Sequence, residues 1–332
     1  MATPEPLDWN DLAGPLSSAD RAVARLDERL RQSPLRAGII ARFDLFDTIA
    51  AMANEGCLIH FEDLALHDMS MDIRVPTQEL VRASTILDIR RKASQRNPES
   101  LMTLRGLQGL VGAWETKTRS PDTIAGKSST YVSDLLALAD ALLQGEETET
   151  DEIAEPLQAD DAFDAWRLSV QKSEKLPPIL AAAQIMLDWK KTSPIPRHEW
   201  LGPILGGAYL RGKDVTSMML PVHLGLRQAQ RNNIKAPPLR ARVEGVLRAA
   251  QAGLEMVRKM ETTVSLLRAH TKDRRGDSFE KLIQMLIDRP VVTIGMIGKE
   301  FGISKQGAAH LLKNVGTIRE LTGRGKYRAW GI

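Results

Sequence analysis

Apolar residues recur at spacings of three and four over most of the chain, the period of an amphipathic helix rather than the alternation of a strand. In SSADRAVARLDERLRQ (17–32), Val23, Leu26 and Leu30 share one face, and Ser17 or Ser18 is placed to cap. The pattern predicts a second helix from Pro34 to Ala53, closed near Gly56, and another from Thr77 to Asn97 before Pro98. Between them, Cys57-Leu58-Ile59-His60 is a short extended candidate, and Leu101–Trp114 is apolar but dotted with glycines. Helical patterns return at Ala162–Lys172, at Pro177–Lys191 and from His198 to about Gln230. Leu239–His270 then runs some thirty residues without proline, with Val243, Val246, Leu247, Leu254, Val257, Val264 and Leu267 at helical spacing. Such a helix either packs in the body or pairs with its copy in a dimer.

Breaks in this pattern divide the chain. QGEETETDEIAEPLQADD (144–161) holds eight acids and no Lys or Arg, the composition of an exposed linker or loop. SPIPRHEW (193–200) and Pro237-Pro238 stiffen two further turns, and TKDRRGDS (271–278) is a polar hinge. The expected organisation is an N-terminal helical domain (1–143), the acidic linker (144–161), a second helical region (162–270) and a separate unit at 279–332.

That last unit changes period. Phe279, Leu282, Ile283, Leu286 and Ile287 form one helical stripe stopped at Arg289-Pro290, and Val291-Val292 suits a short strand. Thr293 caps a helix over Ile294–Glu300 with Ile297 inward, and Phe301-Gly302-Ile303 makes a tight turn in which Gly302 supplies the backbone freedom. Ser304 caps the next helix, to about Asn314, with Ala308, Leu311 and Leu312 facing the core. Ile318–Leu321 and Lys326–Trp330 alternate as two strands around Thr322-Gly323-Arg324-Gly325. The predicted fold class is therefore mainly α: a multi-helical body followed by a winged helix-turn-helix with a small β-hairpin.

This order carries a chemistry. A recognition helix enters the major groove of double-stranded DNA and reads base edges near its N-terminal end. Lys305 and Gln306 have the donors for that, Ala309 suits a thymine methyl, and His310 and Lys313 lie on the same outward side. Ser304, Arg324, Lys326 and Arg328 are placed to hold phosphates from the helix start and the wing, and Thr293, the cap of the preceding helix, is a further DNA-binding candidate. A winged helix can also serve protein contacts, because fold does not fix function.

Charge supports the division. The net charge of +3 conceals +12 over Arg227–Ile332 against −9 over residues 1–226, so one half faces a polyanion better than the other. Tyr, Phe and Trp total only 5%, and the remaining apolar stock of Leu, Ala, Ile and Met favours helices. A single cysteine, Cys57, excludes an internal disulfide and a Cys-based zinc cluster within one chain, and in apolar company it reads as a buried, inert thiol. No signal pattern and no apolar run of membrane-spanning length are visible, so a cytoplasmic protein is expected, nucleoid-associated if it binds DNA.

PVVTIGMIGKEFGISKQGAAHLLKN followed by IRELTGRGKYRAW resembles the C-terminal winged helix attached to many Fic-family proteins. It is similar as well to helix-turn-helix domains of bacterial proteins that otherwise carry a domain of unknown function. It departs from them in a shortened connection, Asn314-Val315-Gly316-Thr317. Ala19–Leu30 with Asn54-Glu55-Gly56 and Phe61–Leu64 resembles the helical lead-in of Fic proteins, whose Ser/Thr-x-x-x-Glu-Gly helix can inhibit the catalytic domain. Here Ala51 stands at the Ser/Thr position, with Glu55 as the counterpart glutamate. Fic nucleotidyl transfer needs a His-Pro-Phe-x-x-Gly-Asn-Gly-Arg loop, and none of the six histidines begins one, so the resemblance implies no AMP transfer.

Other chemistry is weaker. Gly207 to Asp214 comes within one residue of a P-loop, but Asp214 replaces the Ser/Thr hydroxyl and the preceding segment reads as helix. His198-Glu199 and His223 match no metal-ligand spacing and read as surface histidines. Arg90-Arg91-Lys92 reads as a solvated helix face, and Trp114, Trp166, Trp189 and Trp200 as core or interface anchors. The expectation is a non-enzymatic, sequence-specific DNA-binding regulator, without cofactor or metal. It acts as a homodimer because paired half-sites raise affinity, its body serving dimerisation, ligand sensing or a partner. The alternative is a catalytically inactive Fic-like protein acting through protein contacts.

Overall fold

In a computed structural model of the chain the helical periodicities close, among the described residues, into fourteen helices and three short strands. The described residues are 8–71, 75–118, 156–195, 197–232, 236–273, 277–316, 318–322 and 328–332. The body runs through α1 (Trp9–Arg31), α2 (Arg36–Asn54), α3 (Phe61–Asp68), α4 (Gln78–Gln95), α5 (Pro98–Leu101) and α6 (Leu104–Thr118). It continues through α7 (Pro156–Ser173), α8 (Pro178–Thr192), α9 (Leu201–Gly212), α10 (Val222–Asn232) and α11 (Pro238–Thr271). The C-terminal unit follows as α12 (Ser278–Asp288), β1 (Val292–Thr293), α13 (Ile294–Phe301), α14 (Lys305–Asn314), β2 (Arg319–Glu320) and β3 (Ala329–Gly331).

The first helix starts earlier than its serines suggest. Asp8 caps it, accepting from the amides of Asn10 and Asp11, and Leu12 and Leu16 extend the buried stripe of Ala19, Val23, Leu26 and Leu30. The 34-residue α11, about 50 Å long at helical rise, lies along α1, α8 and α10. Its Val243, Val246, Val257 and Leu267 are buried there, so the long amphipathic helix packs in the body. With α2 against α10 and α9 against α4 and α5, the helical stretches on either side of residues 119–155 share one core. The acidic segment falls outside the described residues up to 155, and its last residues belong to α7, which begins at Pro156. Residues 57–60 are extended but form no strand, and Cys57 is half-buried against the core rather than enclosed.

Trp166, Trp189 and Trp200 are buried, and the rings of Trp166 and Trp189 meet edge to face with centroids 5.0 Å apart. Each of those two indoles also satisfies its N–H, Trp189 donating to the carbonyl of His198 and Trp166 to that of Ile185. The Gly207–Gly212 stretch lies inside α9 and makes no phosphate loop.

Two expectations for the body are corrected. Arg90 is not on a solvated face: only 1% exposed, it donates Nε to Asp44 at 2.8 Å and Nη1 to Asp47 at 2.6 Å. Its remaining donors reach the carbonyls of Leu220 and Met219. His223 is not a surface histidine either. It is buried, with Nδ1 3.1 Å from Asp47 and Nε2 2.8 Å from the carbonyl of Trp200. Burial opposes ionisation of Asp47, but Arg90 and His223 outweigh it and hold its carboxyl below the usual range. Asp44, where burial outweighs Arg90 and Arg91, is pushed above that range. Solvation was the wrong inference because α2 presents Asp44 and Asp47 three residues apart, one turn of the same face, to α4. A buried ion cluster of this kind welds α2, α4 and the start of α10 together.

Candidate nucleic-acid interface

The C-terminal unit is built as a helix-turn-helix on a three-stranded sheet of order β1-β3-β2, both pairs antiparallel. Val292 faces Trp330 and Thr293 faces Ala329 in one ladder; Arg319 faces Gly331 and Glu320 faces Trp330 in the other. The helix α12 buries Leu282, Ile283, Leu286 and Ile287, with Ile297 of α13 and Ala308 and Leu312 of α14 in the same core.

Local chemistry sets the turn. Thr293 accepts from the amide of Met296 and so starts α13. Gly302, at φ +65°, ends it in the left-handed region, where a side chain would be strained. Ser304 accepts from the amide of Gly307 at 3.1 Å and starts α14.

With Ala308 and Leu312 facing inward, α14 exposes Lys305, Gln306, His310 and Lys313, and Ala309 is half-buried. These five residues lie along one helix, so the structure brings together the residues the sequence nominated there. Lys299, at the end of α13, is a further exposed cation beside the turn and was missed; it sits in the last helical turn, a position where a lysine often faces solvent.

The other nominated residues divide. Thr293 is 8% exposed, and its hydroxyl oxygen accepts the capping amide of Met296. Arg324 and Lys326 lie outside the described residues. Arg328 is exposed on the wing, ion-paired with Glu320 and 5.2 Å above the ring of Trp330. Hydrogen bonding from Arg328 holds the Glu320 carboxyl below its ordinary value. The hairpin is completed by the Leu321 amide donating to the Ala329 carbonyl and the Ala329 amide donating to Thr322.

Sequence reasoning also missed how this unit is held. Arg42 of α2, 4% exposed, donates Nη1 to the carbonyls of Gly38 (2.9 Å) and Ile287 (2.8 Å), and Nη2 to those of Leu286 (2.7 Å) and Arg289 (3.0 Å). It thus caps the C-terminal end of α12, where the unsatisfied carbonyls concentrate negative potential. The helices approach so closely that a Cβ on Gly38 would lie 1.9 Å from the Ile287 carbonyl oxygen. The signal was available: an arginine inside the apolar run GIIARFDLF takes a core position and must find acceptors. Arg268 of α11 adds an ion pair to Glu280 of α12 at 2.6 Å. Among the described residues no group of His, Cys, Asp and Glu gathers in a geometry that would hold a metal ion, and no helix is long and apolar enough to cross a membrane.

A three-stranded sheet bearing two capped helices at a tight glycine turn, the second exposing its cations, defines a winged helix-turn-helix. Residues 279–332 match the family described as "HTH DNA binding domain", and the chain carries that domain at its C-terminus. Residues 155–275 match a second family, described as "Protein of unknown function (DUF1612)". The whole chain is similar to "Uncharacterized protein y4cF" of Sinorhizobium fredii, 27% identical over 368 residues that cover 97% of each chain.

Proposed function

We propose that this protein is a sequence-specific DNA-binding regulator of transcription that has no enzymatic role. In this reading α14 enters the major groove, Lys305 and Gln306 contact base edges, and Lys313, the Ser304 end of the helix and the wing at 322–328 hold phosphates. The observation that carries it is the division of α14 into a face that packs the core and a face of exposed Lys305, Gln306, His310 and Lys313. The +12 charge over Arg227–Ile332 supports the same orientation. The protein acts as a homodimer on paired half-sites, in the cytoplasm and on the nucleoid. In the Fic-like alternative the counterpart glutamate is Glu55, whose carboxylate is ion-paired with Arg82 of α4 at the surface.

The test is fluorescence anisotropy on pooled genomic fragments, titrated across salt, beside a Lys305→Ala/Gln306→Ala/Arg324→Ala variant. Tight binding of certain fragments, with a steep salt slope that the variant loses, supports the regulator. Binding that is absent or indifferent to the substitutions removes α14 as a reader of DNA and turns the search to protein partners.

A further inference from the structure

Between the body and the winged helix lies a cleft of about 680 Å³. Its body side is formed by Arg42, Phe46, Phe61 and Glu62, its other side by residues of the wing sheet, among them Arg319 and Leu321. The volume is in the range of sites for small organic ligands. We propose that this cleft binds a small aromatic monoanion, a ring system bearing one carboxylate.

The lining selects that chemistry. Phe46 and Phe61 stack with centroids 4.8 Å apart and 22° between planes, giving the cleft an aromatic wall that Leu321 faces from the wing. Arg42 carries a buried positive charge whose four terminal hydrogen bonds all go to carbonyl oxygens, and no described carboxylate forms an ion pair with it. Burial lowers its pKa to about 10, although the charge of Asp288 at the end of α12 acts the other way. Arg42 has therefore spent its terminal donors and acts on a ligand through its field. Arg319, exposed and unpaired with any described residue, supplies the planar fork that grips a carboxylate. Glu62 opposes a second negative charge. Among the residues that line the cleft, two arginines stand against one glutamate, a difference that one carboxylate balances.

The position gives such a ligand a consequence. It would touch α2 and α3 on one side and β2 with the residues after it on the other, so occupancy bears on how the wing is held. That consequence, unlike the site itself, rests on the DNA-binding reading above.

Binding is measured on the full-length protein alone, by calorimetric titration of 2-naphthoate and of its neutral isostere 2-naphthamide. The expected result is saturable binding of the naphthoate at one site per chain, weakened at least tenfold in the amide and in Arg319→Ala, and weakened again in Phe61→Leu. Thermal unfolding of both variants verifies that they remain folded, and Arg319→Lys is expected to recover part of the affinity. No saturable binding within the solubility of the naphthoate, equal binding of acid and amide, or binding indifferent to Arg319→Ala would overturn the site. The same ligand is then added to the DNA titration. A shift in DNA affinity supports the regulatory consequence, and naphthoate binding with an unchanged DNA curve removes that consequence while leaving the site.

Discussion

Two arginine-bearing regions of this molecule use positive charge in opposite ways. In the body, Arg90 is enclosed, and each of its guanidinium nitrogens meets Asp44, Asp47 or a backbone carbonyl. In the winged helix, Lys305 and Lys313 are left in solvent on a helix whose other face is fully packed. Charge that folding consumes contributes to architecture, whereas charge that folding leaves exposed on an ordered scaffold is available to a partner. The two kinds are indistinguishable by residue type, and they differ only in what the opposing element presents. Arg42 stands between them: buried like Arg90, yet satisfied by dipoles instead of carboxylates.

The contrast is broken most strongly at the body cluster. Arg90→Ala should cost about 3–5 kcal/mol by urea denaturation, because it removes the strongest compensating charge from two buried carboxylates. The carboxylates themselves should differ. Asp47, held below the usual range, contributes stability that is present above its unfolded pKa near 4 and is lost as the pH falls through the folded value. Asp44, pushed up, has the opposite sign: its contribution is present below the unfolded value and is lost as the pH rises through the folded one. At neutral pH Asp47→Asn should therefore destabilise more than Asp44→Asn, and the reverse order would mean that Arg90 serves chiefly Asp44.

Next comes the clamp on α12. Arg42→Ala is expected to cost about 2–3 kcal/mol, from the usual worth of charged hydrogen bonds, and to loosen the winged helix from the body. Limited proteolysis should then cut faster within 271–278 while the body resists; unchanged cleavage would mean that the core contacts of α12 suffice without Arg42.

Smaller effects belong to the exposed face. Lys305→Ala or Gln306→Ala should leave thermal stability within about 0.5 kcal/mol. Either change should relax discrimination at one base pair by about 1–3 kcal/mol in competition binding. Lys313→Ala should weaken all DNA sequences alike and lower the salt slope by about one. Ser304→Ala should cost about 1 kcal/mol by removing the cap on α14, seen as a lower unfolding midpoint. If Lys305→Ala destabilised as Arg90→Ala does, the distinction between consumed and available charge would fail.

Much of the C-terminal unit was legible because its signals are local. A capping Thr293 or Ser304, a left-handed Gly302 and a stripe such as Leu282, Ile283 and Leu286 act within a few residues of themselves, so α12, α13, α14 and the β2–β3 hairpin follow from short windows, whereas the β1–β3 ladder joins residues far apart in the chain. The outward side of α14 follows equally, since placing Ala308 and Leu312 inward fixes where Lys305 and Lys313 point. The start of α1 was misplaced because an upstream Asp8 is as good a cap as Ser17, and only the added burial of Leu12 and Leu16 selects it.

By itself, then, the sequence determined the helical class, the winged helix and its exposed cationic face, since periodicity, capping and turn chemistry are short-range. Tertiary structure alone decided that α11 packs inside the body, that Arg90 and His223 are enclosed, that Arg42 holds α12, and that a cleft opens between body and wing. Each of these depends on which face of one helix meets which face of another, across separations of up to 247 residues in the case of Arg42 and Arg289. No local pattern encodes such a pairing; it is set by the packing of the whole core.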